Sequence, residues 1–258
     1  GEGGNLGLTQ LGRIEYAAHG GRVNTDFIDN VGGVDCSDNE VNIKILLNGL
    51  VNDGELTLKQ RNKLLYDMTD DVSRIVLKDC YRQTQSISIT ELAGVKQLKE
   101  QLRFIHGLER EGQLNRELEF IPSDDEISDR VASDRGLTRP ELSVLIAYGK
   151  MVLKDELNIP DITDNPYHGR LLISAFPEVL RQKFQSHMQQ HPLRSEIIAT
   201  KLTNNMVNDM GLNFVFRLQE ETGASVQEIA DAYAIVHGIF NMDDLWSQIE
   251  NLDNVIDA

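Results

Sequence analysis

The stretch Asn30-Val31-Gly32-Gly33-Val34-Asp35-Cys36-Ser37-Asp38-Asn39-Glu40-Val41 decides how the first part of this chain is read. Two adjacent glycines predict a turn, because glycine adopts backbone angles closed to other residues. Ser37 then stands three residues before Glu40, the spacing of a capping box, and the apolar run Val41, Ile43, Ile45, Leu46, Leu47 follows. This predicts a helix that opens at Ser37 with free N–H groups and a positive dipole end, a place that suits a carboxylate or phosphate. The same spacing recurs at Thr57/Gln60, Ser123/Glu126, Thr138/Glu141 and Ser225/Glu228, so by pattern alone Ser37 reads as a structural cap.

Working upstream, Thr9 to Ala18 predicts a helix ended by Gly20-Gly21, and Val23-Asn24-Thr25 is a short β-compatible segment before the turn at Asp29 to Gly33. This is half of an α/β unit. A parallel strand needs neighbours on its edges, so the expectation is a piece of a longer sheet continued upstream. Gly1-Glu2-Gly3-Gly4-Asn5-Leu6-Gly7 misses the dinucleotide fingerprint G-x-G-x-x-G, since Leu6 stands at its third glycine. Local grammar favours a plain loop there, although Asn5 offers both a donor and an acceptor to a ligand.

Downstream, apolar residues fall at helical spacing, as in Leu142, Leu145, Ile146, Val152, Leu153 and again in Val226, Ile229, Ala230, Tyr233, Ala234. Helices are predicted at about Asn39 to Asn52, Leu58 to Ile89 with a break at Thr69, Val95 to Leu108, Glu141 to Leu157, Asp164 to Phe176, Pro177 to Gln190, Leu193 to Met210, Asn213 to Thr222 and Val226 to His237. Pro122-Ser123-Asp124-Asp125-Glu126 is acidic and proline-initiated, and reads as a linker candidate.

Composition narrows the function. With 25 Lys and Arg against 41 Asp and Glu the formal charge is −16, a field that repels nucleic acid and acidic membranes. No run approaches the roughly 18 apolar residues of a membrane span, and Gly1-Glu2-Gly3-Gly4 lacks the basic and apolar regions of a signal peptide. The two cysteines, Cys36 and Cys80, cannot build a disulfide framework, and the expected location is cytoplasmic.

The segments Gly1 to Gly7, Gly21 to Asp26 and above all Ile28 to Lys44 resemble the large bacterial NAD-specific glutamate dehydrogenases. Leu137-Thr138-Arg139-Pro140-Glu141-Leu142, Glu196 to Thr200 and Phe214 to Leu218 resemble the C-terminal helical region of the same family. The resemblance implies NAD as cofactor and reversible oxidative deamination of L-glutamate to 2-oxoglutarate and ammonia, by a homo-oligomer that binds neither nucleic acid nor membrane. It implies a fold that is mainly α, with an N-terminal α/β remnant of a Rossmann-like nucleotide-binding domain followed by a multi-helix C-terminal region. Residues 1–54 would end the NAD-binding catalytic domain and residues 55–258 would form the helical region.

Carried over by position, the resemblance sharpens both loops. Glu2-Gly3-Gly4-Asn5 matches a Glu-Gly-Ala-Asn stretch whose Asn lies at the nicotinamide end of the cofactor, so Gly4 and Asn5 are implied cofactor residues. Asn30-Val31-Gly32-Gly33-Val34 matches Asn-Ala-Gly-Gly-Val, which implies that Asn30 contacts nicotinamide, Val34 packs on the substrate side chain and Ser37 binds its distal carboxylate. Asp35-Cys36 and Asp38-Asn39 depart from the smaller enzymes' pattern. The family's catalytic lysine and aspartate, and its diphosphate-binding glycines, belong upstream of this chain. No catalytic residue is therefore assigned here, and the chain alone is expected to be inactive.

Other candidates read blandly. His187 and His191 share a helical face but lack a third metal ligand, and no metal site is assigned. Lys44 reads as a solvated helix lysine, and Cys36 as a small buried residue rather than a nucleophile. Two other functions stay open: a helical assembly or regulatory module without catalysis, and a helix-turn-helix at Ser225 to His237, which the charge opposes.

Overall fold

The computed structural model of the chain describes residues 7–253 and 255. Among these residues the backbone is helix, turn and loop, and no strand forms. The expected α/β remnant of a Rossmann-like domain is thereby overturned, and the fold is mainly α. Among the described residues Val23-Asn24-Thr25 has no neighbouring strand, and side chains hold the segment in place, although Asn24 Oδ1 and Thr25 Oγ1 are buried without a partner. Arg13, in α1 (Gln10–Ala18) and 1% exposed, donates to the Asn24 carbonyl at 3.0 Å and to Asp29 at 2.9 Å. Asn24 Nδ2 donates to Asp29 Oδ1 at 2.8 Å, tying the segment to the short α2 (Asp26–Asp29).

The Gly-Gly turn is corrected as well. Helix α3 runs Val31–Asn52, with Asn30 as its N-terminal boundary, so Gly32 and Gly33 lie inside the helix. Ser37 is interior too, and its hydroxyl donates to the Val34 carbonyl at 2.8 Å. The reason is nucleation upstream: α2 passes directly into α3 at Asn30, and a helix already propagating leaves Ser37 no free N–H group to cap. The other S/T-x-x-E/Q sites follow loops and behave as read. Thr57 opens α4 (Leu58–Asp67), Ser123 opens α7 (Asp124–Ala132) and Ser225 opens α14 (Val226–Phe240), each with a full capping box. At α8 (Arg139–Leu157) the Glu141 carboxylate accepts from the Thr138 N–H at 2.6 Å.

The break expected at Thr69 falls between α4 and α5 (Thr69–Ala93), and α6 spans Val95–Arg110. The helix expected at Asp164 to Phe176 is instead α9 (Pro160–Thr163) and α10 (Gly169–Ser174), because Asn165 Oδ1 accepts from the Tyr167 N–H at 2.9 Å and diverts the backbone between them. Then follow α11 (Glu178–Met188), α12 (Arg194–Met210), α13 (Phe214–Thr222) and, after α14, α15 (Met242–Glu250).

Two apolar cores hold these helices. In the larger, α8 supplies Leu142, Leu145, Ile146, Leu153 and Leu157, packed with Ile105 of α6, Leu202 and Met206 of α12, and Ile229 and Ala230 of α14. In the smaller, Ile43, Leu46, Leu47 and Leu50 of α3 meet Leu172, Phe176, Leu180 and Ile198. α12 contributes to both, so α3 is fixed to the same framework as α8. No helix among the described residues is long and apolar enough to cross a membrane.

Candidate functional site on the outer face of α3

Successive residues of a helix are 100° apart, so Asn30, Gly33, Val34, Ser37, Val41 and Lys44 share one side of α3. That side faces outward. Asn30, Gly33, Val34 and Ser37 are all exposed, and Val34 and Val41 present apolar surface at 56% and 50% exposure. The Asn30 carboxamide makes no capping bond to the helix it opens. A Cβ on Gly33 would stand 3.1 Å from Asn30 Oδ1, so the glycine leaves room for that carboxamide. The three residues implied to meet nicotinamide, substrate side chain and carboxylate thus lie along two turns of one exposed face, roughly 10 Å end to end. Gly4 and Asn5 lie outside the described residues.

The opposite side of α3 packs on α5, with Gly32 over Cys80. Here Asp35 is half-buried and its Oδ2 has no hydrogen-bond partner, while Asn39 Nδ2 donates to the Asp35 carbonyl at 2.8 Å and approaches Oδ1 at 3.3 Å. Burial, then the charges of Asp79 and Asp38, push Asp35 up to about 6 against the pull of Lys201 and Lys150. Lys201 of α12 pairs with Asp79 of α5 at 2.9 Å. Lys150 of α8 donates to Gln83 Oε1 at 2.7 Å, and desolvation pulls it down to about 7 although Asp79 and Asp35 favour its charge.

Elsewhere, a polar groove of about 670 Å³ runs between α5, α10, α12, α14 and α15, lined by Lys78, Arg82, Arg170, Lys201, Tyr233 and Trp246. Arg82 is engaged by Asp209 and Asn205. Tyr233 donates to Asp209 at 2.6 Å, and burial raises the phenol's pKa far above its ordinary value. His187 and His191 do not converge: His187 meets Glu55 at 2.9 Å, whereas His191 bonds the Asn42 carbonyl at 3.1 Å and accepts from the Leu193 N–H. That pairing makes His191 the neutral Nε2–H tautomer, and burial lowers its pKa.

The family model of the bacterial NAD-glutamate dehydrogenase catalytic domain matches residues 1–90, and the model of the glutamate dehydrogenase C-terminal region matches residues 134–258. The NAD-specific glutamate dehydrogenase of Halomonas elongata is 53% identical over 256 residues, which is 99% of this chain and 16% of that protein. The chain belongs to the bacterial NAD-glutamate dehydrogenase family. The Pseudomonas aeruginosa protein of the same name is 50% identical over 258 residues, 100% of the chain and 16% of the relative. That of Mycobacterium tuberculosis is 40% identical over 249 residues, 96% of the chain and 15% of the relative. The chain therefore spans about one sixth of the length of these glutamate dehydrogenases.

In this chain the sequence pattern does not by itself mark Asp35 and Lys150 as buried charges. Lys150 carried a signal, because it interrupts the apolar run Leu145 to Leu153 of a helix whose neighbours are core residues. Asp35 carried none, since its burial follows from a helix begun six residues before Ser37.

Proposed function

We propose that this chain forms part of an NAD-dependent glutamate dehydrogenase, which converts L-glutamate to 2-oxoglutarate and ammonia in the cytoplasm. Membership of the family supports the activity, and the shared outward face of Asn30, Val34 and Ser37 is the observation that supports the site. Residues 1–54 would close the cofactor-binding catalytic part, and residues 55–258 the helical region. NAD, when bound, supplies the hydride acceptor. Asn30, with an exposed carboxamide free to donate and accept, suits the nicotinamide amide, and Gly4 and Asn5 are cofactor residues by the family resemblance. Val34 covers the substrate's methylene groups. Ser37 turns the hydrogen it gives the Val34 carbonyl toward the distal carboxylate.

A hydrogen bond to a charged group is worth about 1.5–3 kcal/mol, so Ser37→Ala in the full-length enzyme is expected to lower kcat/KM for glutamate by roughly 10- to 150-fold. Unchanged efficiency in a normally folded variant would reject the site. A second, compatible role for the helical region is assembly. The exposed Ile239 and Phe240 of α14 and Ile249 of α15 give it an apolar face suited to a homo-oligomer contact. Ile239→Asp is expected to lower the mass of the enzyme seen by light scattering, and an unchanged mass would exclude that face.

A further inference from the structure

We infer that the polar groove between α5, α10, α12, α14 and α15 is a binding site for a small phosphorylated molecule, whose phosphate is taken by Lys78 of α5 and Arg170 of α10. The inference does not depend on the reading of α3. It rests on which of the groove's charges already have partners. Lys201 pairs with Asp79 at 2.9 Å. Arg82 is held by Asp209 and Asn205 and lies 3.7 Å from Glu250. His168 meets Asp231 at 2.8 Å. Asp243, the remaining carboxylate of the lining, has a side chain 96% exposed and lies 3.9 Å from His237. Lys78 and Arg170 are left, and neither meets a carboxylate among the described residues.

A chain of formal charge −16 has carboxylates in excess, so two unpaired cations lining one groove run against its general trend. Arg170 is also held ready. Its guanidinium lies 3.6 Å over the Tyr167 ring and its Nε donates to the Tyr167 carbonyl at 3.1 Å, which leaves the two Nη groups as an unengaged fork. Tyr167 is fixed in turn, since its hydroxyl donates to the Ala234 carbonyl of α14 at 2.7 Å. A guanidinium anchored in this way loses little freedom when an anion arrives. Trp246 of α15 supplies a third donor, for its Nε1–H is buried in the groove wall without a hydrogen-bond partner. A ligand oxygen met by a small turn of the indole would satisfy it. These three groups all donate, so the ligand is an anion rich in acceptors. A carboxylate engaged by the Arg170 fork turns both oxygens to it, whereas a phosphate keeps a third oxygen for Lys78 on the other helix. The groove, at about 670 Å³, is far larger than a phosphate ion and of the size of small-molecule sites, so the phosphate belongs to a larger molecule.

The test is calorimetric titration of the full-length enzyme with pyrophosphate, under saturating NAD so that the cofactor's own diphosphate contacts are filled. Pyrophosphate is expected to bind with a dissociation constant of about 1 mM or below. Lys78→Ala and Arg170→Ala are each expected to weaken it roughly tenfold, the loss of one hydrogen bond to a charged group. Arg170→Lys keeps the charge without the fork and is expected to fall between Arg170→Ala and the wild type. Both side chains are exposed, and kcat/KM for glutamate without pyrophosphate is expected to stay at the wild-type value in each variant. Absence of binding under saturating NAD, or an affinity unchanged in both alanine variants, would overturn the inference. Succinate titrated in parallel decides the anion class. Tighter binding of succinate than of pyrophosphate, lost in the same variants, would give the groove to a carboxylate and reject the phosphate.

Discussion

At the scale of single residues, the site divides into an outer row that meets solvent and an inner row that meets charge. Asp35 gives the inner row a measurable signature. Its carboxyl is pushed from the ordinary 3.8 up to about 6, mainly by burial. The folded state therefore holds this proton more tightly than the unfolded chain does. The resulting stabilisation is full below about pH 4 and is lost as the pH rises through about 6. Asp35→Asn removes the loss: near pH 4 the variant should melt at or below the wild type, and near pH 7 above it. Equal melting differences at both pH values would show that Asp35 ionises as an ordinary surface carboxylate. The outer row was legible from sequence only through family resemblance, because the local pattern around Ser37 is the one this chain uses for plain helix caps. The inner row was not legible, because which side of α3 is buried depends on where α3 begins.

At the scale of elements, the largest departure from the sequence pattern has a single cause. Helical periodicity and capping pairs located most helices from α4 onward, with Thr57, Ser123, Thr138 and Ser225 each at a helix start. That departure lies at Gly32-Gly33, where two adjacent glycines predict a turn and the β-compatible Val23-Asn24-Thr25 precedes them. The structure carries α3 straight through both. Gly32 has ordinary helical backbone, and a Cβ there would touch Cys80 Sγ at 3.5 Å, an easy contact. Gly32→Ala should accordingly stabilise the chain by about 0.5–1 kcal/mol, the usual gain from replacing a mid-helix glycine. A turn would predict the reverse, so a lowered melting temperature would restore the turn. The caps give a matching control. Ser225→Ala removes an N-cap and should cost about 1 kcal/mol, whereas Ser37→Ala, inside the helix, should leave stability nearly unchanged.

At the scale of the whole molecule, two cores that share α12 make one framework, and α3 carries the candidate site on the side away from both. The chain covers about one sixth of its relatives, and it carries no assigned catalytic lysine or aspartate. Hydride transfer needs a substrate held against activating groups. The 258-residue chain by itself is accordingly expected to produce no NADH from glutamate and NAD, and measurable turnover would place the catalytic groups within it. Binding of substrate by the full-length enzyme is a separate matter and bears most directly on the site. The structure of that enzyme with NAD and 2-oxoglutarate bound is the decisive measurement. Ser37 Oγ is expected within about 3.2 Å of a distal carboxylate oxygen of the substrate, with Asn30 at the nicotinamide amide. A substrate bound away from the Asn30, Val34 and Ser37 face of α3 would contradict the account.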